Sequence, residues 1–160
     1  MATFSVEKVE VWAKEIEDRA GALDEVLGVL AEAGVNLACV IARREHEKTG
    51  KAMVYVTPLK GVKETNAGKR AGLVKVTDMA TLRVEGANKK GNLHTMMAAL
   101  AEHGINVRGI SAVGMGPKGV GFMGFDTMGE ANEAMGVIKA IGSKGAKKKA
   151  SGKKMVAAGW

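Results

Sequence analysis

Residues 18–36 read DRAGALDEVLGVLAEAGVN, and residues 88–106 read NKKGNLHTMMAALAEHGIN. The second stretch repeats the first at an offset of 70 residues without a gap, and seven of the 19 positions are identical. Unrelated sequences of ordinary composition would share about one or two of these positions. The 160-residue chain therefore contains two copies of one unit.

Each stretch carries an apolar stripe with helical spacing. Leu23 begins a set of apolar residues at positions i, i+3, i+4 and i+7, and Leu93 begins the same set in the second copy. Gly34 and Gly104 follow these stripes. Glycine is typical of a helix end, because it adopts the left-handed backbone conformation without steric cost. The pattern predicts one amphipathic helix in each repeat.

Strand-like runs flank both helices. Those of the first copy occupy 9–16, 37–42, 52–57 and a short 73–76, and those of the second occupy 80–85, 107–113 and 120–126, with no clear final strand. Further helical patterns cover about 60–73 and 131–141. The offset of 70 also matches Met53 with Met123. Each copy thus follows the order strand, helix, strand, strand, helix, strand.

This order is the one found in ferredoxin-like units. The predicted fold class is α+β, with two ferredoxin-like βαββαβ units at residues 1–76 and 77–142. We expect the two units to pack side by side, because the pairing hides edge strands.

The basic charge of the chain is concentrated in residues 143–160. The formal net charge is +7, and the six lysines of this segment, which has no acid, account for all but +1 of it. Its Gly/Ala/Lys-rich sequence lacks an amphipathic pattern, which predicts a disordered tail. The tail either solubilises the protein or tethers it electrostatically, so nucleic acid is a partner through the tail only.

Composition excludes several classes of protein. Cys39 is the only cysteine, which excludes an intrachain disulfide and a multi-cysteine zinc site. No apolar run approaches the roughly 18 residues of a membrane helix. The N-terminus lacks the basic start and apolar core of a secretory signal. We therefore expect a cytoplasmic protein without a membrane span.

No group of residues predicts catalysis or metal binding. His94 and His103 lie nine positions apart on one predicted helix and face opposite sides, so they cannot share a metal ion. Residues 114–119 match the pattern GxGxxG, but a dinucleotide site requires a helix directly after that loop. The sequence that follows is strand-like, which favours a long hairpin turn. The sequence predicts no enzymatic activity, cofactor or metal.

The repeated motif resembles the signature of ACT domains. In both copies a basic residue and a variable residue precede Gly, Leu follows two positions later, and an apolar helix ends in Gly-Val-Asn or Gly-Ile-Asn. The whole chain is similar to the stand-alone tandem-ACT proteins of bacteria and archaea. The resemblance implies ferredoxin-like modules that bind a free amino acid, assemble as a homo-oligomer and regulate an enzyme or transcription. Ala20 and Lys90 depart from the pattern, which often has proline there.

The loop before each predicted helix is the candidate ligand site. Free amide groups at a helix N-terminus favour a carboxylate, and glycine lets the backbone approach a ligand closely. An acidic side chain or a loop carbonyl would accept hydrogen bonds from the ligand's ammonium group. The predicted ligand-binding residues are Glu17, Asp18, Arg19, Ala20, Gly21, Ala22, Leu23, Asn36 and Leu37 in the first copy, and Asn88, Lys89, Lys90, Gly91, Asn92, Leu93, Asn106 and Val107 in the second.

The roles of Asn36 and Asn106 come from the resemblance alone. By the ACT pattern, each asparagine contacts a ligand held by an adjoining unit. A purely structural alternative exists for these positions, in which Gly21 and Gly91 only permit a tight turn and the asparagines lie in strand-entry turns.

Three functions fit these observations. The favoured one is a non-catalytic regulatory protein that senses a small amino acid at an interface between ACT units and signals to an unidentified protein partner. The second is a ligand-free scaffold for oligomerisation. The third is a regulator tethered to nucleic acid by the lysine-rich tail.

Overall fold

The computed structural model describes residues 3–147, with side chains through residue 142. In chain order the elements are β1 (Ser5–Val9), β2 (Trp12–Glu17), α1 (Ala22–Glu32), β3 (Cys39–Arg44), β4 (Lys51–Thr57), α2 (Gly61–Arg70), β5 (Val74–Lys75), β6 (Ala80–Ala87), α3 (Asn92–Glu102), β7 (Gly109–Met115), β8 (Lys118–Phe125) and α4 (Met128–Lys147). They form two compact units: a first unit, Val9–Thr77, and a second unit that combines residues 3–8 with residues 78–147.

The first unit is an α+β fold with a four-stranded sheet in the order β3-β4-β2-β5. All three strand pairings are antiparallel. The predicted apolar stripe of α1 supplies Val26 and Leu30 to the core, where they join Val54 and Val56 of the central strand β4. The short closing strand predicted at 73–76 is present as β5.

The second unit has the corresponding sheet order, β1-β6-β8-β7. Its fourth strand, which the sequence pattern lacks, is β1 from the N-terminus of the chain. Phe4 and Val6 are buried in the core of this unit. The predicted strand at 9–16 is therefore wrong at its start, because Glu10 and Val11 separate β1 from β2. Residues 3–8 belong by contacts to the second unit, although they precede the first.

The two hairpins of the repeat differ in length. In the second unit Met115 pairs with Lys118, so only Gly116 and Pro117 form the turn between β7 and β8. The predicted long turn is wrong, and the GxGxxG segment is a tight hairpin followed by a strand. The shorter hairpin also shifts the repeat: Leu82 pairs with Met123, whereas the corresponding Trp12 pairs with Val56. Val56, not Met53, is therefore the counterpart of Met123.

Helix α4 begins with a reciprocal cap. The Glu130 amide donates to Thr127 Oγ1 at 3.1 Å, and the Thr127 amide donates to Glu130 Oε2 at 3.1 Å, which satisfies two amides at the helix start. The helix continues to Lys147, so the first residues of the predicted tail are helical. The rest of the predicted disordered tail, residues 148–160, lies outside the described residues, as does any contact it makes with nucleic acid.

Candidate functional site

The first candidate loop joins β2 to α1. Gly21 immediately precedes the helix with a φ of 86°, a left-handed conformation that favours glycine. Asp24 and Glu25 lie in the first turn of α1. Arg19 donates two hydrogen bonds to the Glu25 carboxylate, at 2.8 and 3.0 Å. A ligand carboxylate would therefore meet a net negative charge at this helix start, because Arg19 offsets only one of the two carboxylates and is itself already paired.

The acidic residues of the first loop are also ion-paired. The Arg44 Nε atom lies 2.8 Å from Asp18 Oδ2, and Lys51 donates to Glu17 Oε1 at 2.6 Å. The hydrogen bond that Lys51 donates to Glu17 raises the pKa of Lys51. Both predicted acceptors for a ligand ammonium group are thus engaged within their own unit.

The second candidate loop joins β6 to α3 and has a different charge distribution. Gly91 precedes the helix with a φ of 79°, as Gly21 does in the first loop. The first turn of α3 contains no acidic residue, and no side chain caps it. Within the described part of the chain, the Leu93 and His94 amides have no hydrogen-bond acceptor. The exposed Lys90 adds positive charge to the loop. This helix start therefore favours an anion.

Two asparagines of the second loop present carboxamide oxygens. Asn88 Nδ2 donates to the Gly116 carbonyl at 3.0 Å, and Asn92 Nδ2 donates to the Ala87 carbonyl at 2.8 Å. A carbonyl only accepts hydrogen bonds, so each side-chain amide group must direct its nitrogen towards that carbonyl. Both Oδ1 atoms are left without a protein donor among the described residues, and they are suitable acceptors for an ammonium group.

Several predicted residues of both loops have a structural role or are simply exposed. Ala22 is buried, and Leu23 and Leu93 pack partly against the cores of their units. Ala20 and Lys89 lie on exposed parts of the loops.

Asn36 and Asn106 lie far from the loops of their own units. Both are exposed and follow the C-terminal ends of α1 and α3, while the neighbouring Leu37 and Val107 pack against the cores. Each asparagine follows a helix of 11 residues, and the candidate loop precedes that helix. The length of the helix, about 16 Å, therefore separates the asparagine from the loop. Neither asparagine joins the candidate site of its own unit.

A pocket that is partly open to solvent lies against the second loop. Asn88, Asn92 and Leu93 belong to its lining, so the pocket adjoins the predicted site. The other lining residues, which include Phe4 and several glycines of the sheet, were not predicted from the sequence. The glycines of the GxGxxG segment were the sequence signal for this part of the pocket. That they line a pocket follows only from the pairing of their strands in the sheet.

Other chemistry has little support in the described residues. Partial burial raises the pKa of the Cys39 thiol, which disfavours the reactive thiolate. No group of three histidine, cysteine, aspartate or glutamate side chains within residues 3–142 is arranged to hold a metal ion. None of the helices that the structure describes has the length and apolar composition of a membrane span.

The sequence matches no family model and no curated protein. The fold, in contrast, matches solved structures over most of the chain. Protein BT0572 from Bacteroides thetaiotaomicron is 16% identical, with a TM-score of 0.71 and coverage of 86% of this chain and 90% of that one. The ligand-free regulatory subunit of aspartate kinase from Thermus thermophilus is 14% identical, with a TM-score of 0.60 and coverage of 88% and 96%.

A third similar structure is E. coli aspartokinase III in complex with lysine and aspartate. It is 12% identical, with a TM-score of 0.51, and the match covers 88% of this chain and 32% of that one. At sequence identities this low, the similarity to these structures shows a shared fold and nothing further. The chain has the two-unit ferredoxin-like fold of aspartate kinase regulatory subunits, as the resemblance to tandem-ACT proteins predicts.

Proposed function

We propose that this protein is a non-catalytic regulator that binds a free amino acid at the loop between β6 and α3. The observation that carries the proposal is the start of α3, whose first turn has no side-chain cap and no acidic residue. Such a helix end attracts a carboxylate through its amide groups and its dipole. The carboxamide oxygens of Asn88 and Asn92 would accept hydrogen bonds from the ammonium group of the same ligand.

The contrast with the first unit supports this choice of loop. Asp24 and Glu25 occupy the positions that His94 and Thr95 occupy in the second unit, and Arg19 and Asp18 are already ion-paired. The two copies share a backbone conformation at the loop but differ in charge. We infer that the second loop binds the amino acid more tightly than the first.

The fold comparisons support a regulatory role. Two of the similar structures are a regulatory subunit of aspartate kinase and an aspartokinase in complex with lysine and aspartate. We propose that the amino acid binds at an interface between ACT units of a homo-oligomer, where Asn36 or Asn106 of an adjoining unit completes the site. Occupancy would then favour one arrangement of the units, which an unidentified protein partner distinguishes.

Calorimetric titration of the full chain with each of the twenty amino acids tests the proposal. A ligand at 100 times its dissociation constant should also stabilise the protein by about 2.7 kcal/mol. Gly91→Val should abolish the binding heat, because the added side chain obstructs the loop. Gly104→Val is the matched control: Gly104 also has a positive φ, of 69°, but lies at the other end of α3 with nothing within 4 Å.

The outcomes separate the candidate functions. Binding that is lost in Gly91→Val and retained in Gly104→Val supports the amino-acid sensor. Binding that is lost only in Gly21→Val would move the site to the first unit and contradict the charge argument. If none of the twenty amino acids binds, the ligand-free scaffold is the better description.

A further inference from the structure

We propose that the pocket beside the second loop makes this protein selective for amino acids with an uncharged aliphatic or thioether side chain, such as leucine or methionine. This inference rests on the proposed function, since the loop would hold the amino and carboxylate groups while the pocket takes the side chain. The first unit has Ala52 and Val54 where the second unit has Gly119 and Gly121, so the proposal concerns the second unit.

Glycines that line the pocket form a row across the sheet of the second unit. Gly86 of β6 pairs with Gly119 of β8, which in turn pairs with Gly114 of β7. Gly121, two residues further along β8, lies on the same face of the sheet. Its partner Val84 is buried in the core, so this face is the one that the helices cover. Phe4 and Asn88 occupy the space beside Gly86 and Gly114, whereas the Cβ positions of Gly119 and Gly121 have their nearest neighbours 3.9 and 3.6 Å away.

The corresponding positions of the first unit carry side chains. Ile16 pairs with Ala52, which pairs with Arg44, and Val54 occupies the position of Gly121. Val54 is fully buried, Ala52 is 8% exposed, and Ile16 packs partly against the core. At the positions of Gly119 and Gly121, the first unit therefore fills with its own side chains the space that the second unit leaves open. Arg44, the counterpart of Gly114, is 80% exposed and fills no such space.

One of these glycines also positions the polar end of the site. A Cβ atom on Gly114 would come within 2.8 Å of Asn88 Nδ2, so only glycine allows Asn88 to lie against β7. There Asn88 donates its hydrogen bond to the Gly116 carbonyl and keeps its own carboxamide oxygen available. The glycine row thus places the proposed ammonium acceptor at the edge of the pocket.

The chemistry of the lining defines the class of side chain. Phe4, Leu93, Met96 and Met123 contribute apolar surface, and the lining that the described residues provide contains no charged side chain. A lysine or aspartate side chain would lose its hydration there without gaining a partner, which disfavours both. Aliphatic and thioether groups gain from the same environment, because they leave water for apolar contacts.

A pair of pocket-filling variants tests the inference. Gly121→Val introduces the residue of the first unit, and Gly121→Ala is a milder change whose Cβ atom would make only ordinary contacts, the nearest being Ala112 at 3.6 Å. Gly109→Ala is the matched control, since Gly109 lies on β7 with open space around its Cβ position. L-leucine, L-methionine, glycine and L-lysine are titrated calorimetrically against each full-length variant, and the unfolding midpoint monitors folding.

We expect the wild-type protein to bind leucine or methionine at least tenfold more tightly than glycine, because burial of such a side chain has about this effect on affinity. Gly121→Val should remove most of this preference, Gly121→Ala part of it, and Gly109→Ala none. If all four amino acids bind with similar affinity and Gly121→Val changes nothing, the inference is wrong while the proposed function stands. If none of the twenty amino acids binds, both are wrong.

Discussion

Placing the acidic residues of α1 into α3 should weaken amino-acid binding without harming the fold. Thr95→Glu and His94→Asp reproduce at the second helix start the Glu25 and Asp24 of the first. An acid in the first turn stabilises a helix by about 0.3–1 kcal/mol, so these variants should be at least as stable as the wild type. A loss of binding then cannot be attributed to unfolding.

The size of the effect follows from Coulomb's law. A carboxylate in the first turn would lie about 7 Å from a ligand carboxylate at the helix end, and at an effective dielectric constant of about 45 the repulsion is about 1 kcal/mol. Thr95→Glu alone should therefore weaken binding about fivefold. With His94→Asp added, the total of about 2 kcal/mol corresponds to roughly 30-fold.

Calorimetry with leucine or methionine at low ionic strength measures these changes. Ala101→Glu is the control, because it adds one negative charge to the exposed last turn of the same helix, away from the loop. The difference between Thr95→Glu and this control should shrink at high salt, where exposed charges are screened. Equal affinities for Thr95→Glu and Ala101→Glu at low salt would refute a carboxylate at the start of α3.

Three further predictions concern the second unit. Phe4→Ala should destabilise the protein by about 3–4 kcal/mol in urea unfolding, since it removes a buried anchor of β1; a loss below 1 kcal/mol would mean that β1 contributes little. Thr127→Ala should cost about 1 kcal/mol through loss of the α4 cap, whereas Thr127→Ser, which keeps the hydroxyl, should retain most of it. Lys118 lowers the pKa of Glu85, so Glu85 contributes stability above its ordinary pKa and loses it as the pH falls. Glu85→Gln should therefore be less stable than the wild type at pH 7 and equal to it in acid, once the pH is below the lowered pKa of Glu85; a difference that persists there would contradict the ion pair.

Local sequence patterns determined most of the secondary structure. The apolar stripes of α1 and α3 have helical period within single segments, and the helix boundaries agree with the glycines at 34 and 104. The repeat at a fixed offset indicated the order of helices and strands within each unit. This order could be predicted because neighbouring residues determine both helices and most strands. The loops before the helices were also visible in sequence, since glycine is required where φ is positive, as at Gly21 and Gly91.

Only the tertiary structure decided which strand completes the second unit. The segment 5–9 is short, and its sequence does not indicate a partner more than 70 residues away. Similarly, Gly86 lies far in sequence from Gly114 and Gly119, and the three become a single row only when β6, β8 and β7 pair in register. Strand register is set by the packing of one whole sheet face against its core, so it is a property of the assembled fold rather than of any local segment.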